Sequence, residues 1–174
     1  MHDVDDYPTA RQVPGLVVYR YDAPLCFANA EDFRRRALAA VDTAGGPVDG
    51  PSADSHGGPK DTTPDPAVEW FVLDAEANVE IDITAADALK QLRQEVDSRG
   101  IVFAMARVKQ DLRTDLVRAG LVETVGAELI FPTLPTAVAA YLDAYAERHG
   151  SLPPGVRPLS LPKDPMDRPD HPSE

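Results

Sequence analysis

The sequence predicts an α/β fold: one domain over residues 13–149, with a mixed, mostly parallel sheet flanked by about four helices. Three observations predict it. Residues 68–73 (VEWFVL) form an almost unbroken apolar run, as expected of a central strand covered on both faces. From there onward short apolar runs alternate with stretches of helical period, and right-handed crossovers turn such an alternation into a parallel sheet with helices packed on it. Residues 16–21 and 25–27, on either side of Asp22-Ala23-Pro24, suit two short strands that add an antiparallel edge.

The elements follow in order. Asn29 is placed to cap a helix whose Ala30, Phe33, Ala37 and Val41 share a face, and Glu31 and Asp32 lie in its first turn, where the helix dipole favours negative charge. Thr84 opens the next helix, with Asp87 three residues on in a variant of the capping box. Ala85, Ala88, Leu89, Leu92 and Val96 make that helix's inner stripe, and Arg99-Gly100 ends it. Residues 101–106 read as a strand, 111–119 as a short helix with Leu112, Leu116 and Val117 inward, and 129–131 as a last short strand. Leu134, Val138, Tyr141, Leu142 and Tyr145 form the inner face of a closing helix. Outside this pattern lie a polar, acidic stretch over residues 1–12, an insertion over 43–67 and a Pro-rich tail over 150–174. The insertion and tail lack a core-forming pattern and read as disordered.

A chain of 174 residues with 43% hydrophobic side chains can bury a single core. No stretch approaches the roughly 18 to 20 consecutive apolar residues that cross a bilayer, and the acidic first ten residues lack the basic start and apolar middle of a secretory signal. The expectation is a chain that is cytosolic or faces the cytosol. A formal charge of −12 repels phosphate backbones and anionic lipid surfaces, which argues against general nucleic-acid binding. Cys26, between Leu25 and Phe27, reads as a buried strand thiol and not a nucleophile.

Most motif searches exclude chemistry. Gly57-Gly58-Pro59-Lys60 lacks the GxxxxGK[ST] spacing of a phosphate loop. His2, His56, His149 and His171 are scattered without ligand spacing, so neither a metal site nor a histidine-based catalytic set is expected, and the chain does not read as an enzyme. Asp74, Glu76, Asn78, Glu80 and Asp82 alternate as calcium ligands do. Yet Val79 stands where the sharp turn needs glycine and Ala85 where the bidentate Glu belongs, so the segment reads as a solvated acidic loop. Thr84 carries two readings: a hydroxyl that caps a helix, or one that joins the orphan amides and positive dipole end in holding a phosphate.

The wording of the chain adds to its pattern. Asp5-Asp6-Tyr7-Pro8, Tyr19-Arg20, Asp22-Ala23-Pro24-Leu25, Phe27-Ala28-Asn29-Ala30-Glu31 and Asp82-Ile83-Thr84-Ala85 closely resemble the STAS domain that ends SulP-type sulfate and anion permeases, over residues 4–149. The resemblance implies a STAS-like sheet. It also implies a cytoplasmic regulatory and assembly domain of a sulfate or related anion permease, with residues 1–12 as connector from a membrane domain that carries the ion. Implied partners are that membrane domain, a second permease subunit, and a nucleotide: GTP, GDP or ATP. Strand ends in an open sheet converge on a crevice, which puts the candidate nucleotide pocket at Asp74, Asp82, Thr84 and Ala85, with Arg107 and Lys109 supplying positive charge. The alternative is a free-standing anti-sigma factor antagonist. In that related group a short Asp-Ser-Ser-Gly stretch carries the phosphorylated serine; Asp82, Ile83, Thr84 and Ala85 align with it, placing Thr84 at the phosphorylated position, with Ile83 replacing the first serine and Ala85 the glycine.

Overall fold

The computed structural model describes residues 13–45 and 68–156. The connector, most of the insertion with its Gly57–Lys60 stretch, His2, His56, His171 and the end of the tail lie outside these residues. Four strands, β1 (Leu16–Arg20), β2 (Trp70–Asp74), β3 (Val102–Ala106) and β4 (Ile130–Phe131), form one sheet in sequence order. Each neighbouring pair is parallel, with Arg20, Asp74 and Ala106 in one line across β1 to β3. Five helices join them: α1 (Ala30–Ala44), α2 (Ile83–Ser98), α3 (Gln110–Arg118), α4 (Leu121–Val125) and α5 (Leu134–His149).

The apolar run of β2 explains how the layers close. Successive side chains of a strand point to opposite faces. Phe71 and Leu73 enter one core with Phe33 and Val41 of α1, Leu89, Leu92 and Val96 of α2, and Leu112 and Leu116 of α3. Trp70 and Val72 enter a second core with Ala137, Tyr141 and Leu142 of α5. Phe71 stacks on its register partner Phe103 at 5.8 Å between ring centres. Four helices thus cover one face and α5 alone the other. The predicted stripe of α2 is buried in full, and complete burial of a residue such as Leu92 contributes about 2 kcal/mol.

The α/β, mainly parallel expectation holds, and several local expectations are corrected. Residues 25–27 are not a strand, so among the described residues the sheet has no antiparallel edge. The Asn29 side chain folds back into that segment: Oδ1 accepts from the Cys26 amide at 2.9 Å and Nδ2 donates to the Pro24 carbonyl at 2.8 Å. These bonds make a closed turn where a ladder was expected, and they take Asn29 away from capping α1. Cys26 consequently sits half-buried in a turn and Phe27 points outward. Val117 is exposed, because the inner face of the nine-residue α3 is filled by Leu112 and Leu116. The five-residue α4 was too short to show a period.

At the far end, Gly150 in the left-handed region (φ 76°) stops α5, and Leu152, Pro153 and Val156, which the sequence assigns to the tail, pack into the second core. Gly45, after α1, and Val68, before β2, stand close together: a Cβ added at Gly45 would lie 3.9 Å from Val68 Cγ2.

Candidate functional site

The start of α2 is built on Asp82, not Thr84. Asp82 has extended backbone (ψ 176°) and its Oδ1 accepts from the Ala85 amide at 2.8 Å, which is the N-cap contact. Its Oδ2 accepts from the Phe27 amide at 2.7 Å. One carboxylate therefore ties the 24–29 turn to the head of α2, with both oxygens used. Thr84 lies one residue inside the helix, exposed, where its hydroxyl cannot cap. Ala85 is fully buried, so its role is close packing under the cap. Ile83 and Phe27, 84% and 74% exposed, line a groove of about 690 Å³ with Asp82, Thr84, Lys90, Asp115 and Arg118.

A second cluster stands at the C-terminal ends of β1, β2 and β3. Register places Arg20 at the end of β1 beside Asp74 at the end of β2, with Arg107 immediately after β3. Asp74 is buried, and its Oδ2 lies 3.8 Å from Arg107 Nη1. Arg107 Nη1 also pairs with Glu76 Oε2, and Arg20 Nη1 reaches the same oxygen at 2.8 Å. Arg20 Nε bonds to Asp22, and this bond and its charge hold the guanidinium more firmly protonated than usual. Arg107 adopts φ 57°, a left-handed conformation that costs a non-glycine residue about 1 kcal/mol, and its amide donates to the Phe131 carbonyl at 3.1 Å.

The predicted pocket residues thus divide. Asp74 and Arg107 meet; Asp82, Thr84 and Ala85 form a separate group; Lys109 is exposed at the N-cap of α3. Among the described residues no hydrogen bond or ion pair joins Asp82 or Thr84 to Arg107 or Lys109. The acidic loop is solvated only in part, since Asn78 is 2% exposed and its Nδ2 donates to the Ala23 carbonyl at 2.9 Å, fastening the loop under the 22–24 turn. Sequence reasoning missed Arg20 and Glu76 as partners of Arg107. The available signal was the line of strand ends in a parallel sheet, which collects side chains distant in sequence. His149, the one histidine among the described residues, lies elsewhere, 2.5 Å from Glu69 and with its ring tilted against that of Tyr145 at 4.2 Å.

Neither cluster pairs a nucleophile with a base. What the geometry offers is an exposed apolar pair rigidly held by a carboxylate, and two guanidinium groups converging on one oxygen. The STAS domain family model matches residues 7–137. A probable sulfate transporter of Mycobacterium tuberculosis is 61% identical over 141 residues, covering 81% of this chain and 22% of the relative. A probable sulfate transporter of Arabidopsis thaliana is 31% identical over 142 residues, 78% of this chain and 18% of the relative. The chain thus spans about a fifth of the length of these relatives. In structure it is similar to a sulfate transporter family protein from Wolinella succinogenes (TM-score 0.58, 23% identity, 83% of this chain and 99% of that one). It is also similar in fold to a protein of Thermotoga maritima described as a candidate anti-sigma factor antagonist (TM-score 0.54, 14% identity, 75% of this chain and 90% of that one). By the extent of the family match and its identity to the transporter relatives, the chain belongs to the STAS domain family, with strong homology to the STAS domains of SulP sulfate transporters.

Proposed function

We propose that this domain is the cytoplasmic regulatory and assembly part of a sulfate or related inorganic-anion permease. The observation that carries the reading is the 61% identity over most of this chain to a probable sulfate transporter of which it spans 22%. No helix among the described residues is long and apolar enough to cross a membrane, so in this reading the ion is carried by the remainder of the permease. The domain's work is then contact and control. Phe27 and Ile83, whose backbones the Asp82 carboxylate links, supply an apolar contact face for that membrane portion or for a second subunit. The test is radiolabelled sulfate uptake by cells carrying the whole permease with and without this domain. Unchanged uptake and membrane abundance on deletion would overturn the reading.

A nucleotide is the effector proposed for the same domain. The groove beside Thr84 has room for one, and the first amides of α2, with Lys90 and Arg118 in the groove lining, supply positive charge for a phosphate. Titration with GTP, GDP and ATP, followed by amide chemical shifts with Thr84→Ala as control, tests it. Saturable shifts at residues 82–90 that weaken in the variant are the expected result; no shifts at millimolar nucleotide would remove the effector and leave the contact role standing.

A further inference from the structure

We propose that Arg20 and Arg107 form a small-oxyanion site that Glu76 occupies as an internal competitor. The two guanidinium groups come from the last residue of β1 and the first residue after β3, and each directs its Nη1 to the same carboxylate oxygen, Glu76 Oε2. Convergence of two forks on one oxygen is how arginine recognises sulfate, phosphate or carboxylate. The three side chains are 47%, 34% and 42% exposed, so an anion from solvent can reach the guanidinium groups when the Glu76 side chain rotates away. An open hollow of about 540 Å³ lies on the Arg20 side of the cluster, lined by Arg20 and Arg36 with Asp22 and Asp32.

The rest of the cluster sets its strength. Asp74, buried beside Arg107, pairs with that guanidinium from beneath solvent, while the exposed Asp22 pairs with Arg20 Nε. With Asp22, Asp74 and Glu76 against two arginines the cluster is net negative, so free anion binds only in the millimolar range, as expected of a sensor of abundant ions. Arg107 keeps its left-handed backbone at a place glycine would occupy without strain, and its side chain is what that conformation presents at the strand ends. The site stands apart from the Thr84 groove and does not rest on the nucleotide reading.

The test uses the whole 174-residue chain, titrated with sodium sulfate and sodium phosphate against sodium chloride at matched ionic strength, read by the amide shifts of Arg20, Glu76 and Arg107. Saturable sulfate and phosphate shifts at these residues, absent with chloride, are expected. Removal of the competitor in Glu76→Gln is expected to tighten binding at least about tenfold, and Arg107→Gln to weaken it by a similar factor. Glu76→Ala, which leaves no amide to substitute for the carboxylate, must tighten it too. A GDP arm separates the sources: if GDP moves the same three residues at lower concentration, the oxyanion is a nucleotide phosphate, and if not it is a free ion. Shifts that match chloride, or a Glu76→Gln variant that retains the native spectrum and binds no more tightly, overturn the proposal.

Discussion

Replacing Asp82 by alanine removes two bonds at once, and the structure allows the loss to be apportioned. The cap bond to the Ala85 amide is worth about 1 kcal/mol, as N-cap deletions commonly are. The bond from the Phe27 amide is charge-assisted but close to solvent, and contributes about 1 kcal/mol more. Asp82→Ala should therefore cost about 2 kcal/mol, a fall of about 1 M in the urea midpoint for a domain of this size. Asp82→Asn, whose single carbonyl oxygen can serve one of the two amides, should lose about half of that. Thr84→Ala should stay within about 0.5 kcal/mol, because the hydroxyl is exposed and makes no cap bond. Urea unfolding followed by circular dichroism at neutral pH reads all three. Equal losses for Thr84→Ala and Asp82→Ala would refute the assignment of the cap.

Three other outcomes are expected. Tyr141→Phe deprives the Pro14 carbonyl of a donor at 2.6 Å and should cost about 1 kcal/mol in urea unfolding at pH 7. Burial, and to a lesser degree the nearby Glu69 charge, raise the Tyr141 hydroxyl above its usual value, so the neutral phenol stabilises the fold fully below about pH 10 and that stabilisation is lost as pH climbs toward the raised folded value; the Phe variant should lose less stability than wild type between about pH 9 and 12. Leu92→Ala should cost about 3 kcal/mol, whereas Val117→Ala on an exposed face should change the urea midpoint hardly at all. Joint replacement of Phe27 and Ile83 by serine should leave the isolated domain's thermal midpoint within about 3 °C but alter sulfate uptake by the whole permease; unaltered uptake would remove them from the contact face.

What was legible in the sequence was whatever depends on periodic burial. The run around Phe71 announced a strand covered on both sides, and the stripes of Phe33–Val41 and Leu89–Val96 announced two helices, because each needs only a pattern to be satisfied. Local choices made by single hydrogen bonds were not legible. Asp82 and Thr84 are both good caps, and Asp82 has the further bond from the Phe27 amide, a contact 55 residues apart in sequence. Asn29 was diverted by Cys26 and Pro24 for a similar reason: its amide completes a turn that no ladder could use. In the candidate site, Arg107 was legible as a positive charge after a strand, but its partners Arg20 and Glu76 were brought to it only by strand register.

The meeting of Gly45 and Val68 has an evolutionary and practical consequence. Because Gly45 and Val68 stand close together, the length of chain that joins them costs the fold little: doubling a loop's length adds only about 0.6 kcal/mol of closure cost. Residues 46–67 are thus the place where the domain can tolerate excision down to a short turn, or accept a fluorescent reporter, while the strand ends that carry Arg20, Asp74 and Arg107 lie at the opposite pole of the sheet.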